Sequence, residues 1–195
     1  MEEDAEKSAE QYALQAIEYL NNNPIGYQQL ASVRLSQQRN EEAKILLEES
    51  LTKWLDPYVL ESEPTYSEKL NLVKLLLEVE LYESAFRVLE KLQREDDEHV
   101  EFWYLYTCAY FHDPENSRED NWKNARECAE TCLKWYKIVE WDDEELKASC
   151  EEMLKKIEES GIVPDKEDNV EDEEDEEGDE EEWESDEDVE MQEAA

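Results

Sequence analysis

Two histidines, His99 and His112, and four cysteines, Cys108, Cys128, Cys132 and Cys150, are the side chains best suited to proton transfer, nucleophilic attack or soft-metal binding. Neither histidine lies in a nucleophile motif. The sequence contains no glycine-rich phosphate loop and no Gly-x-Ser-x-Gly elbow. Cys128 and Cys132 fall one helical turn apart and near His112, but this is not the Cys-x-x-Cys spacing of a zinc knuckle, and reduced cysteines pack well in cores. Carboxylate pairs occur everywhere and so single out no general acid or base. The acidic stretches lack the spacing and the glycine of an EF-hand loop. Neither catalysis, nor a cofactor, nor a structural metal is expected. What remains is binding to another protein.

The charge says what kind of protein. Asp and Glu number 58 against 19 Lys and Arg, a formal net charge of -39. Such a field repels nucleic acid and anionic membranes and draws in basic proteins. Residues 165–195 hold 20 of the acids and a single Lys, yet the rest of the chain is acidic as well. In the tail, Ser185 is followed by Asp186, Glu187 and Asp188, the pattern of an acidophilic kinase site, where phosphate would add about -1.5 to -2 charge. The tail reads either as a solvating segment that opposes aggregation or as a polyanion that shields a basic client.

No run approaches the roughly 18 apolar residues of a membrane span. The first residues, Met-Glu-Glu-Asp-Ala-Glu, resemble neither a signal peptide nor a presequence. A protein of nucleus and cytoplasm, monomeric and with reduced thiols, is expected.

The elements that position these groups are helices. Three Gly and five Pro in 195 residues are too few for hairpin-rich β structure, and Leu, Glu, Ala, Lys and Gln favour helix. Three segments repeat one pattern: Tyr27, Leu30, Ala31 before Ala43, Leu47, Ser50; Leu72, Val73, Leu76 before Tyr82, Ala85, Leu89, Leu92; and Trp103, Tyr106, Thr107, Tyr110 before Trp122, Ala125, Ala129, Cys132. In each, a helix with large apolar residues precedes one with Ala at a fixed place, where a small side chain permits close approach. The spacing matches the tetratricopeptide repeat, with an insertion at Asp113–Asp120 in the third unit, where Pro114 marks a stop and Ser117-x-x-Asp120 an N-cap.

The expected fold is therefore all-α, a tetratricopeptide-like helix-hairpin solenoid with a disordered acidic C-terminal tail. Residues 1–23 form a lone helix of an incomplete N-terminal repeat, 24–141 three repeats, 142–164 a capping helix and 165–195 the tail. Asp56–Ser67, with Pro57 and Pro64, reads as a longer link.

By the usual geometry of such arrays, the first helix of each hairpin lines a concave face. Gln28, Ser32, Lys74, Glu78, Glu101, Tyr104, Phe111 and His112 are expected on it as partner-binding residues, with Tyr104 and Phe111 equally compatible with the core. Lys74 is the one basic residue among them, which argues against an acidic-peptide ligand and for a basic or mixed one.

Several stretches together resemble a known family. They are Glu95-Asp96-Asp97-Glu98 running into Val100-Glu101-Phe102-Trp103-Tyr104-Leu105, Asn124-Ala125-Arg126-Glu127-Cys128 to Cys132-Leu133, Asp142-Asp143-Glu144-Glu145-Leu146, and the tail Glu182-Trp183-Glu184 with Asp186 to Met191. From about Leu70 to the end, the sequence is similar to the fungal dedicated assembly chaperones of large-subunit ribosomal protein four. The resemblance implies a superhelical repeat protein that captures this basic ribosomal protein when newly made. It implies shielding of the client's basic loop and passage into the nucleus towards pre-ribosomes, with a nuclear import receptor reached through the client. Members of that family have a longer array, whereas this one begins mid-repeat. From the residues alone, a histone or general basic-protein chaperone and a repeat scaffold subunit of a larger complex remain as alternatives.

Overall fold

The computed structural model describes residues 2–19, 23–55 and 64–162, all within one compact unit. The acidic tail, Ser185 with it, and most of the link from Asp56 lie outside the described residues. Among the described residues there are eight helices and no strand. They are α1 (Glu2–Tyr19), α2 (Pro24–Ser36), α3 (Asn40–Leu55), α4 (Tyr66–Glu78), α5 (Tyr82–Glu95), α6 (Val100–His112), α7 (Arg118–Ile138) and α8 (Glu144–Glu159). The expected all-helical solenoid is borne out: each helix packs on its neighbour in sequence, and α2 touches α4, α4 touches α6 and α6 touches α8. No two odd-numbered helices touch among the described residues. The even helices thus form the closer-set layer, which in a stacked helical array is the inner side of the curve.

The recurring alanines explain how the hairpins close. Ala43, Ala85 and Ala125 are each 0% exposed at the seam between the two helices of a pair. Around them run apolar stripes at helical spacing, among them Leu47 and Leu51, Leu89 and Leu92, and Phe102, Leu105 and Ala109. Close approach also fixes the first junction. A Cβ added at Gly26 would stand 3.0 Å from Ile17 Cγ1, so α1 lies directly on the start of α2. Arg34 ties three helices together there, bonding Glu10 of α1 at 2.7 Å and Glu42 of α3 at 3.3 Å.

The helix ends follow local chemistry. Asn23 caps α2 through Ile25 N, with Pro24 at the first turn. Thr65 and Glu68 make a complete capping box, so α4 starts at Tyr66, and the last two residues of the expected link are helical. Asp143 caps α8 through Leu146 N. At the 113–120 insertion, Ser117 does occupy the N-cap of α7 but makes no side-chain cap bond. The tie is made instead by Asp113, whose carbonyl and carboxylate both accept from Asn121 Nδ2, at 3.0 and 3.1 Å.

Candidate partner-binding face

The exposed stripe of the inner layer is short. On α4 it runs Ser67, Asn71, Lys74, Glu78, and on α2 it includes Gln29, Ser32 and Ser36. Of the residues expected on this face, Ser32, Lys74, Glu78 and His112 are exposed and Glu101 is half-buried. Lys74 of α4 and Glu101 of α6 form an ion pair at 2.5 Å, which joins the two helices and cancels both charges. Glu78 has no ion-pair partner among the described residues. Gln29, Ser36 and Asn71, which reading by the repeat template passed over, continue the stripe at the i, i+3 and i+4 spacing that marked the others.

Three expected residues serve internal packing instead. Gln28 is not on the open face: it is 6% exposed, and its amide donates to Ser50 Oγ at 3.2 Å, Ser50 in turn donating to Pro24 O. A buried amide needs such a partner, and the α2–α3 seam supplies it. The Tyr104 hydroxyl lies 3.0 Å from Ser149 Oγ of α8. The Phe111 ring lies flat on Trp122, with centroids 5.0 Å apart and 7° between planes, in a small cluster with Ala125 and Ile157. Both rings are half-buried because α8, as the next even helix, lands on the surface of α6 that the repeat geometry left open.

His112 closes this end of the face. Burial, and then the Lys156 ammonium nearby on α8, hold its imidazole below its ordinary pKa of 6.5. A group with a depressed pKa contributes stability that is present above the ordinary imidazole range and is lost as pH falls through its lowered value. An NMR titration of the intact protein should place the His112 midpoint below 6.5, and Lys156→Gln should raise it part of the way back. A midpoint that ignores Lys156→Gln would remove the ammonium as a cause.

The cysteines converge on the α6–α7–α8 junction, where Cys128, Cys132 and Cys150 are buried and Cys108 is nearly so. Burial pushes the Cys108 thiol up to about 11 and the Cys128 thiol up to about 12. Cys132, held by its hydrogen bond to Cys150 and by burial, also moves up. No group of three ligating side chains among the described residues could hold a metal. Thiols so shifted are poor nucleophiles. Native protein should therefore react with a thiol reagent about a hundredfold or more slower than denatured protein near neutral pH. The hydrogen bond to Cys132 holds the Cys150 thiol down, so the slow reaction is expected of the other three, and rapid native labelling of Cys108, Cys128 or Cys132 would contradict it.

No helix among the described residues is long and apolar enough to cross a membrane. No protein-family model matches the sequence. Two curated fungal proteins do. A Schizosaccharomyces pombe protein named "Probable assembly chaperone of rpl4" is 34% identical over 181 residues, 87% of this chain and 54% of that protein. An Emericella nidulans protein of the same name is 34% identical over 176 residues, 79% of this chain and 45% of that protein. The likeness to fungal assembly chaperones read from the sequence is thus borne out, and the chain spans about half the length of these relatives. The solved structure "MamA RS-1 ArsTM double mutant" has the same fold at a TM-score of 0.50, with 14% identity, covering 82% of this chain and 89% of that one.

Proposed function

We propose that this chain, like the two fungal proteins it resembles, is an assembly chaperone for large-subunit ribosomal protein four. It holds the newly made basic client, shields it and accompanies it from cytoplasm to nucleus for incorporation into pre-ribosomes. The observation that carries this reading is the likeness over most of the chain to two proteins so named. The fold is compatible with it. On the open inner face Glu78 offers an exposed carboxylate, and Lys74 is already paired with Glu101. An acidic chain meeting a basic client associates fast and in a salt-dependent way. The work is non-enzymatic and carried out by a monomer, without direct contact to nucleic acid or membrane. An import receptor is reached through the client.

The test is a pull-down from fungal lysate at low and moderate salt, using the intact chain and read by mass spectrometry. One large-subunit ribosomal protein enriched far above all others supports the reading. Collection of histones and many ribosomal proteins alike would replace it with a general chaperone of basic proteins.

A further inference from the structure

Most basic side chains among the described residues are neutralised within the fold, and so are their partners. Lys53 pairs with Glu49, Lys69 with Glu95, Lys74 with Glu101, Arg126 with Glu130 and Lys156 with Glu152. One edge of the array is different. The loops before α6 and α8 read Asp96-Asp97-Glu98-His99 and Val139-Glu140-Trp141-Asp142-Asp143, without a single Lys or Arg. Carboxylates in the first turn of a helix, such as Glu101, Glu144 and Glu145, are accounted for by the helix dipole. Asp97, Glu98, Glu140 and Asp142 precede the helices, are exposed, and have no ion-pair partner among the described residues.

The two loops meet through aromatic rings. His99 stands between Tyr66 at the start of α4, 5.3 Å away, and Trp141, 5.9 Å away. The Tyr66 hydroxyl donates to Asp96 O at 2.8 Å, and the Trp103 indole donates to Asp97 O. These bonds fix the first of the two loops against the rings, and the carboxylates of Asp97 and Glu98 are exposed. His99 Nδ1 is the one buried side-chain nitrogen or oxygen among the described residues with no hydrogen-bond partner. Burial and the surrounding carboxylates Asp96, Glu95, Asp97 and Glu101 push the Tyr66 hydroxyl up, which reports the negative potential at this edge.

Three rings elsewhere in the array carry a cation. Trp54 carries Lys91 at 4.9 Å, Trp122 carries Arg118 at 4.0 Å and Tyr136 carries Lys147 at 5.7 Å. Trp141, 38% exposed and flanked by Glu140 and Asp142, carries no cation among the described residues. A cation over an indole is an arrangement this fold already uses at Trp54 and Trp122, and among the described residues Trp141 has none.

We infer that this loop edge, built on Trp141, His99 and Tyr66 and rimmed by Asp97, Glu98, Glu140 and Asp142, is a second docking surface, and that its occupant is an extended Lys/Arg-rich segment of a basic protein. Guanidinium or ammonium groups meet the unpaired loop carboxylates while their stems lie over the rings. The inference rests on the chaperone reading for the identity of the basic partner, and adds on this edge a second electrostatic contact beside that of Glu78 on the inner face.

The experiment uses the intact, 15N-labelled chain and a synthetic peptide of alternating arginine and glycine. The indole N–H signals of Trp141, Trp103 and Trp183 are followed, assigned through single Trp→Phe variants. The expected result is a saturable shift of Trp141 and Trp103. The Asp97→Asn, Asp142→Asn pair should weaken binding about tenfold, and Trp141→Leu should weaken it several-fold. Unchanged thermal melting would show that each variant is folded. A shift confined to Trp183, or a Trp141 shift indifferent to the two Asn substitutions, overturns the inference. If the intact chain still captures its basic ribosomal protein while Trp141 stays silent, the chaperone reading survives without this surface. If it captures none, that reading fails by itself.

Discussion

Glu78→Lys combined with Glu101→Lys should weaken binding of the basic client about a hundredfold at low salt, because each reversal removes an attraction and adds a repulsion of about 1–1.5 kcal/mol. The two positions are not equivalent. Glu78 is exposed and has no ion-pair partner among the described residues, so its reversal acts on the client. Glu101 neutralises Lys74 at 2.5 Å, so its reversal also sets two cations side by side on the inner face. The converse change has the opposite sign: Lys74→Gln frees the Glu101 carboxylate and should tighten binding several-fold. Calorimetric titration of purified client at two salt concentrations measures all three, with the differences shrinking at the higher salt. A double variant that binds like the parent would show that the inner face is not where the client lies. A loss of binding on Lys74→Gln would show that the ion pair matters for the fold and not for charge.

Phe102→Ala should lower folding stability by about 3–5 kcal/mol. The ring is 0% exposed and packs edge-on against Trp103 at 5.0 Å and Tyr106 at 5.3 Å, within the cluster that runs from α2 to α7. Removing it forfeits the burial of a large aromatic and leaves a hole that α-helical neighbours fill poorly. Against a typical total of about 5–15 kcal/mol, the loss is a large fraction. Each helix of such an array leans mainly on its neighbours, so the damage should centre on the α5–α6–α7 junction. Urea denaturation followed by far-ultraviolet circular dichroism measures it, and Phe102→Leu, which keeps most of the volume, should cost about 1 kcal/mol. A midpoint for Phe102→Ala indistinguishable from the parent would mean that this ring does not anchor the core.

The hairpin seams were legible because their chemistry is local and periodic. Ala43, Ala85 and Ala125 announce close helix approach, and the 3.6-residue recurrence of apolar side chains gives the buried stripes directly. The ends of α2, α4 and α7 were less so. Each passes through a left-handed residue that is not glycine, Gln38, Glu80 and Glu140, so the usual C-terminal signal is missing. The Asp113–Asn121 tie was also hidden, since it joins positions eight apart across a turn whose nearer candidate, Ser117, looked sufficient.

Net charge, helical class, the lack of catalytic motifs and the resemblance to assembly chaperones were properties of the sequence by itself, because each depends only on which residues are present and at what spacing. Which side chains face a partner was decided by the tertiary structure. Gln28 satisfies Ser50 across a seam, Tyr104 and Phe111 are roofed by α8, and Lys74 finds Glu101 on a different helix. The loop edge is the clearest case. Tyr66, His99 and Trp141 are far apart along the chain and share no pattern, yet stacking α4, α6 and α8 side by side brings their N-terminal ends together. Periodicity reports the face a helix buries, but only the neighbouring helix determines which part of the remaining surface stays open to water.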